Sequence, residues 1–196
     1  MGNPSFAVSS LEELSQSRHE IIAIISNPPR PMGRKKMLNY TDVGHYALKN
    51  KIELIELDSF DNNEVFKKLV SLNADIFVVV AFRILPEKYI SIPKLGSINL
   101  HASILPKYRG AAPIQWALMN GDETTGVSVF QIEKKVDTGK IIKQKEIVID
   151  KNDNYEILSK KLSTIGAEAL IESLDSLEKG NVNYLEQDNS AVTRAP

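Results

Sequence analysis

The segments that decide the fold are two apolar runs in the middle of the chain, DIFVVV at residues 75–80 and GSINL at residues 96–100. Both are short, and the first is rich in β-branched residues, which is typical of strands buried on both faces of a sheet. Two further runs of this kind lie upstream, EIIAII at residues 20–25 and ELIEL at residues 53–57. Together these runs predict a sheet with buried central strands.

Helical patterns separate the predicted strands. Ser9 and Ser10 precede Glu12 and Glu13 by three residues, a capping-box signature that predicts a first helix ending near Arg18. Apolar spacing predicts further helices at residues 43–50, 62–72, 113–120 and 155–180.

Two runs of alternating apolar and polar residues, 125–133 and 141–149, predict a pair of antiparallel strands. Because strands and helices alternate over the rest of the chain, the sequence predicts an α/β domain with a mostly parallel central sheet. Ligands of such sheets bind beyond the carboxyl ends of the strands. The segments after Val80 and Leu100 are therefore the first places to look for a site.

Composition excludes several classes of protein. The chain has 196 residues, with 24 Lys and Arg against 25 Asp and Glu, so it is not a broadly polycationic nucleic-acid coat. It contains no cysteine, which excludes disulfides, thiolate nucleophiles and zinc held by cysteine. The three histidines share no short ligand spacing, and no apolar run approaches the ~20 residues that span a bilayer. We therefore expect no metal site and no membrane segment, and the composition is compatible with the cytoplasm.

Polar side chains follow the second apolar run. Asn99 and His101 are two residues apart, so they point to the same side of a strand, and Asp137 lies in a loop between two predicted strands. An amide donor, an imidazole and a carboxylate suit acyl-type transfer to an amine, which needs no covalent nucleophile. On spacing alone the alternative stays open that Asn99 caps a strand end, His101 is a satisfied core histidine and Asp137 begins a turn.

Longer motifs favour acyl-type transfer over purely structural roles for these three residues. The stretch NLHASILP at residues 99–106, followed by YRGAAPIQW at 108–116, resembles the 10-formyltetrahydrofolate-dependent formyltransferase family, most closely its members that act on methionyl-tRNA. Matching pieces elsewhere, in the family's order, are GNPSFA at 2–7, RPMGR at 30–34, GDETTGV at 121–127 and DTG at 137–139.

The resemblance implies a Rossmann-like fold and a transfer of the formyl group from 10-formyltetrahydrofolate to the α-amino group of methionine on initiator tRNA. It implies that Asn99 polarises the formyl oxygen and that His101 assists in charge stabilisation and proton transfer. It also implies that Asp137 interacts with His101 and helps to move protons between the amine and the folate nitrogen.

The resemblance also implies which residues hold the folate co-substrate. Ser103, Ile104, Leu105 and Pro106 match a segment that lines the folate site. The run AFRILP at residues 81–86 matches a loop beside the pterin, which makes Phe82 and Arg83 candidate folate contacts.

A basic segment is the candidate nucleic-acid contact. It holds Arg30, Arg34, Lys35 and Lys36, with no acidic residue from 26 to 41, and its prolines predict an exposed irregular loop suited to phosphates. Without the resemblance, a solvated surface loop is the usual explanation of such a run of charges. The resemblance implies that the loop contacts the acceptor stem of tRNA and that Arg34 is its most important residue.

Two alternatives to the transfer of formyl to methionyl-tRNA remain open at this point. One is a formyltransferase that acts on an amino-sugar nucleotide, which the basic segment and the stretch 109–113 disfavour. The other is a non-catalytic fragment. Members of the family have a strand directly before the turn that matches residues 2–7, and a β-barrel after the catalytic domain, and the 196 residues of this sequence include neither. Residues 1–180 are expected to form the catalytic domain, as a monomer, and 181–196 a linker toward that barrel.

A chain without that first strand is expected to be poorly folded or weakly active, because a missing central strand strips both neighbours of hydrogen bonds. Each unmet buried backbone group costs about 1–3 kcal/mol, against a total stability of about 5–15 kcal/mol. Thermal unfolding and turnover of the 196-residue chain test this expectation. A cooperative transition with normal turnover would contradict it.

Overall fold

The computed structural model describes residues 1–33 and 36–196. The helices are α1 (Phe6–Gln16), α2 (Asp42–Lys49), α3 (Asn63–Ser71), α4 (Glu87–Ile90), α5 (Pro113–Asn120) and α6 (Tyr155–Glu178). The strands are β1 (Ile24–Ser26), β2 (Arg30–Met32), β3 (Met37–Asn39), β4 (Leu54–Glu56), β5 (Phe77–Val80), β6 (Ser97–His101), β7 (Arg109–Gly110), β8 (Thr124–Gln131), β9 (Ile141–Val148) and β10 (Arg194–Ala195).

The strands confirm an α/β fold in which the buried apolar runs form parallel pairs. β1 pairs with β4, and β5 pairs with β6, both in parallel. β6, β8 and β9 continue the second sheet in antiparallel order, so the order is β5-β6-β8-β9. The predicted antiparallel pair near the carboxyl-terminal half is thereby confirmed, and the sheet is more mixed than a mostly parallel one.

Met1 and Gly2 connect the two parallel pairs. The Gly2 N–H donates to the Ile25 carbonyl at 3.1 Å, and the Val80 N–H donates to the Met1 carbonyl at 2.9 Å. A groove of about 550 Å³ lies beside these residues, with walls from β1, β5 and α1. The expectation that a further strand belongs next to this turn stays a prediction.

The first helix begins earlier than predicted. Its buried face consists of Ala7, Ser10 and Leu14. Ser10 therefore lies inside the helix and does not cap it. The cap position is Ser5, and the side chain of Ser5 makes no capping hydrogen bond. The capping-box prediction was wrong because burial of Ala7 extends the helix by a turn toward its amino end.

The long helix α6 closes the core over β6 and β8. Leu158, Leu162 and Leu170 are fully buried on its inner face. Gly166 lets the helix approach the sheet closely, since a Cβ there would lie 2.9 Å from the Leu100 Cδ2. Among the described residues, none of the helices combines the length and apolar character that a membrane span requires.

The polar segment 181–196 packs against the rest of the domain. The sequence predicted a linker there and gave no indication of these contacts. Leu185 exchanges two backbone hydrogen bonds with Ile141, of 2.8 and 2.9 Å. β10 pairs in parallel with β7, and Gln187 and Ala195 are buried. Two-residue strands carry no periodicity, so the sequence pattern offered no signal for these contacts.

The packing of α6 predicts a clear difference between its two faces. Leu170→Ala should lower the free energy of unfolding by about 2–5 kcal/mol, because it leaves a cavity in the core. The matched control is Ile157→Ala on the same helix, where the side chain is exposed and the cost should be below about 1 kcal/mol. Denaturant unfolding measures both, and equal costs would contradict this packing.

Candidate active site

A cavity of about 500 Å³ lies where the strands β5 and β6 end. The segment 81–85, directly after β5, forms one wall, and residues 99–102 at the end of β6 form the next. Residues 132–137, from the loop between β8 and β9, and the pair Gly110 and Ala111 complete it. The cavity therefore occupies the position where ligands bind in α/β sheets.

Asn99, His101 and Asp137 all line this cavity, so the structure brings the three predicted catalytic residues together. Asn99 and His101 share one side of β6 because side chains alternate along a strand. The loop after β8 returns over the sheet and places the Asp137 Oδ2 3.9 Å from the His101 Nδ1.

The backbone fixes the tautomer of His101. Its Nε2 lies 2.8 Å from the Tyr108 carbonyl oxygen, which can only accept a hydrogen bond. Nε2 therefore carries the proton, and Nδ1 faces the Asp137 carboxylate. The imidazole is held by its Nε2, and the unprotonated Nδ1 is the nitrogen that can take up a proton next to the carboxylate.

Burial sets the protonation of this imidazole. His101 is fully enclosed, and desolvation lowers its pKa below the ordinary 6.5. The carboxylate of Asp137 and the carbonyl of Tyr108 act in the opposite direction and raise that pKa, by less than burial lowers it. The imidazole is therefore neutral near pH 7, with Nδ1 open to take a proton beside a carboxylate.

The Asp137 loop is held by backbone contacts. Asp137 has a φ of 54°, in the left-handed region that non-glycine residues rarely adopt, so the fold must hold it there. The Gly110 N–H donates to its Oδ2 at 2.9 Å. Gly139 lies so close to the strand β8 that a Cβ would overlap the Gln131 carbonyl oxygen.

Asn99 has an unused hydrogen-bonding atom in the cavity wall. Its Oδ1 is buried and has no hydrogen-bond partner among residues 1–33 and 36–196. Buried amide atoms are almost always paired in folded proteins, and an exception at a cavity is typical of a group that pairs with a ligand. The Oδ1 can therefore accept from an N–H of a bound molecule, while the Nδ2 of the same amide can donate to a bound carbonyl oxygen.

Phe82 and Arg83, the predicted pterin contacts, line the same cavity. The Arg83 guanidinium donates to the Leu57 carbonyl at 2.5 Å and to the Asp58 carbonyl at 3.0 Å, and it lies 4.8 Å from the Phe60 ring centroid. Arg83 thus fastens the loop after β5 to the end of β4. Through these bonds, Arg83 positions the cavity wall formed by residues 81–85.

The stretch 103–106 follows Ala102, which lines the cavity. Among the described residues, the cavity wall includes none of Ser103, Ile104, Leu105 and Pro106. Ser103 is fully buried and donates to the Lys107 carbonyl at 2.6 Å, and Leu105 packs in the core. These residues shape the turn that carries Tyr108, and their contact with folate stays a prediction.

The basic segment forms a hairpin instead of an irregular loop. β2 and β3 pair antiparallel, with Pro31 opposite Leu38. A two-stranded hairpin tolerates proline because each strand has a free edge. Arg30 and Lys36 are exposed on it, while Arg34 and Lys35 lie outside the described residues.

Sequence reasoning missed three residues that organise the site: Tyr108, Gly110 and Gln187. Tyr108 acts through its carbonyl and Gly110 through its N–H, which no side-chain motif reveals. Gln187 donates to the carbonyls of Asp137 and Gly139, at 3.0 and 2.8 Å, from the segment that was expected to be a linker.

A possible cation site lies away from this cavity. Among the described residues, one group has metal-ligand geometry, formed by His19, Asp175 and Glu178. Arg18 already pairs with both of these carboxylates, at 2.9 and 2.6 Å. The cluster is therefore an ion-pair network that joins the end of α1 to the end of α6.

Comparison with known proteins identifies the family. The family described as formyl transferase matches residues 1–174. A methionyl-tRNA formyltransferase of Thermodesulfovibrio yellowstonii is 45% identical over 196 residues, which are 100% of this chain and 63% of that protein. The chain belongs to the formyl transferase family, and it spans about three fifths of the length of the curated relatives it matches.

Solved structures confirm the Rossmann-like fold. Glycinamide ribonucleotide transformylase 1 from Symbiobacterium toebii has a TM-score of 0.77 at 16% identity, covering 95% of this chain and 92% of that chain. The N-formyltransferase from Helicobacter canadensis, in complex with folinic acid and dTDP-3-aminofucose, has a TM-score of 0.75 at 24% identity, covering 99% and 68%. These likenesses show the fold alone.

The burial of His101 predicts a specific pH dependence of stability. Its pKa is lower in the folded chain than the ordinary 6.5, so its contribution is fully present above that pH and is lost as pH falls toward the folded pKa. Between about pH 7.5 and about pH 5.5, the wild type should lose up to about 1 kcal/mol more stability than His101→Gln.

Denaturant unfolding at the two pH values measures this loss. The matched control is His45→Gln, at an exposed position on α2. The wild-type pH dependence should persist in the control and weaken in the His101 variant. An equal weakening in both variants would contradict the assignment of the effect to His101.

Proposed function

We propose that this chain carries the catalytic centre of a methionyl-tRNA formyltransferase, which transfers a formyl group from 10-formyltetrahydrofolate to the α-amino group of initiator methionyl-tRNA. The observation that carries the proposal is the convergence of Asn99, His101 and Asp137 on one cavity. The 45% identity to the methionyl-tRNA formyltransferase of T. yellowstonii supports the choice of acceptor.

Asn99 is the residue that binds the reacting carbonyl. Folate supplies the formyl group, whose oxygen becomes negative when an amine adds to its carbon. An amide donor placed at that oxygen stabilises the developing charge by roughly 3–4 kcal/mol. Asn99 lines the cavity, so its Nδ2 can serve as that donor, while its unpaired Oδ1 can accept a hydrogen bond from the incoming amine.

His101 and Asp137 move the proton. A new bond forms between the amine and the formyl carbon, the bond between that carbon and the folate nitrogen breaks, and one proton passes from the amine to that nitrogen. The neutral His101 Nδ1 beside the Asp137 carboxylate can hold a proton between the two events.

The cavity walls fit a folate. A volume of about 500 Å³ lies in the range of small-molecule sites, and Phe82, Ile84 and Leu85 supply an apolar wall next to Asn99. The predicted contacts Phe82 and Arg83 would then flank the pterin ring, with Arg83 acting through the loop that it fastens. No part of this fit requires a metal ion.

The hairpin of β2 and β3 is the proposed tRNA contact. Arg30 and Lys36 are exposed on it, and the sequence carries two further basic residues, Arg34 and Lys35, between them. Exposed basic side chains can pair with phosphates of an acceptor stem without reading its bases.

The cellular setting follows from the acceptor. Charged initiator tRNA is a cytoplasmic molecule, so we place the reaction in the cytoplasm. We also propose a monomer, and the cavity with its three predicted catalytic residues is formed within one chain.

Substitutions in the cavity test the proposal. Asn99→Ala, His101→Ala and Asp137→Asn should each lower kcat for formylation of methionyl-tRNA by about 10²–10³-fold, because each removes a group that acts on the transferred formyl or proton. Formylation assays with purified tRNA and 10-formyltetrahydrofolate measure this. Matched controls at exposed positions are Asn181→Ala and Asp61→Asn, which should retain wild-type kcat.

The same assay decides between acceptors. Methionyl-tRNA and an amino-sugar nucleotide are offered to the wild type in parallel, with the folate donor in excess. A higher kcat/KM for the sugar nucleotide would replace the proposed acceptor and keep the proposed chemistry. Absence of transfer to both acceptors from a folded chain would instead favour the non-catalytic alternative.

Charge reversal on the hairpin tests the tRNA contact. The double variant Arg30→Glu and Lys36→Glu should raise KM for methionyl-tRNA about tenfold and reduce the salt dependence of binding, with KM for folate unchanged. Lys179→Glu, at the exposed end of α6, is the matched control. A parallel rise in the KM for folate would show that the hairpin acts on the cavity and not on tRNA.

A further inference from the structure

The carboxyl-terminal segment holds both partners of the catalytic imidazole. Thr193 accepts the Tyr108 N–H at its Oγ1, at 2.8 Å, and the Tyr108 carbonyl in turn accepts from His101. On the other side, Gln187 of the same segment donates to the Asp137 carbonyl at 3.0 Å. The geometry of the His101–Asp137 pair therefore depends on residues more than forty positions away in sequence.

Gln187 makes the denser set of these contacts. Its Nε2 donates to the carbonyls of Asp137 and Gly139, and its Oε1 accepts from the Arg109 Nε at 3.1 Å and Nη2 at 2.7 Å. Since carbonyls only accept and a guanidinium only donates, the amide has one orientation that satisfies all four bonds. The side chain is 9% exposed, so water does not replace these partners.

The loop that Gln187 holds needs an external restraint. Asp137 sits at a positive φ, which is unfavourable for a residue with a Cβ. The bonds from Gln187 hold the backbone of this residue and of the two that follow, at the carbonyls of Asp137 and Gly139. Arg109, which orients the amide, adjoins the Gly110 N–H that binds the Asp137 carboxylate.

We infer that Gln187 is a positioning residue for the transfer reaction, which fixes the Asp137 carboxylate against His101 by bonding the backbone carbonyls of Asp137 and Gly139. The expected effect of Gln187 on turnover rests on the proposed function. The geometric part of it, the separation of Asp137 from His101, is independent of any substrate.

Two isosteric substitutions test the role. Gln187→Met removes the two donors that hold the loop, and Gln187→Glu keeps the contact to Arg109 but turns an acceptor toward two carbonyls. Both should lower kcat for formylation by about 10- to 100-fold, because a small displacement of Asp137 spoils proton transfer. KM for folate and for methionyl-tRNA should stay within about twofold of the wild type.

The matched control is Gln131→Met. The Gln131 Nε2 donates to the Tyr184 hydroxyl, so this glutamine contacts the same segment by a side-chain bond that does not touch Asp137. Its kcat should equal that of the wild type. A loss of kcat in the control as large as in Gln187→Met would reduce the role of Gln187 to general attachment of the segment and overturn the inference.

A titration of the His101 imidazole by NMR gives a readout without substrates. The Asp137 carboxylate raises the pKa of His101, so release of Asp137 in Gln187→Met and Gln187→Glu should move the His101 midpoint to lower pH. An unchanged midpoint in both folded variants overturns the inference. A lowered midpoint in a protein whose wild type formylates neither acceptor supports the positioning role and rejects the proposed function.

Discussion

The parallel pairing of β5 with β6 is the constraint on which the site depends. The register sets Phe77 opposite Ser97 and Val80 opposite Leu100, so both strands end at the same edge of the sheet. The chain therefore leaves the end of β5 beside the end of β6, where the side chains of Asn99 and His101 lie. Because backbone hydrogen bonds fix this register along the whole of β5, the loop at residues 81–85 and the two polar side chains face one cavity.

The rest of the fold protects that register. α6 buries Leu158, Leu162 and Leu170 against the sheet, and close approach at Gly166 seats the helix over Leu100. β8 pairs with β6 on its other edge, with Ser128 opposite His101. His101 is thus enclosed from several directions, and the burial that lowers its pKa is a product of core packing. Stability and chemistry therefore draw on the same contacts.

Much of the fold could be predicted from the sequence because the signals are local. The β-branched run at residues 75–80 marked β5, Pro113 and Gly121 bounded α5 at its observed ends, and the period of two put Asn99 and His101 on one side. Predictions failed where a longer-range contact competed with a local pattern. Burial of Ala7 overrode the serine cap of α1, and antiparallel pairing turned the proline-broken basic segment into a hairpin.

The sequence by itself determined the class of fold, the family and the identity of the three polar residues, because these depend on residue type and on spacing within single elements. Tertiary structure alone decided the contacts that make a site of them. The Tyr108 carbonyl, the Gly110 N–H and the buried amide of Gln187 meet Asp137 and His101 from distant parts of the chain. Almost every residue carries the same backbone groups, so the sequence does not show which carbonyl or N–H will meet a given side chain. The polar segment 181–196 has no hydrophobic periodicity, so only the folded chain shows where Gln187 lies.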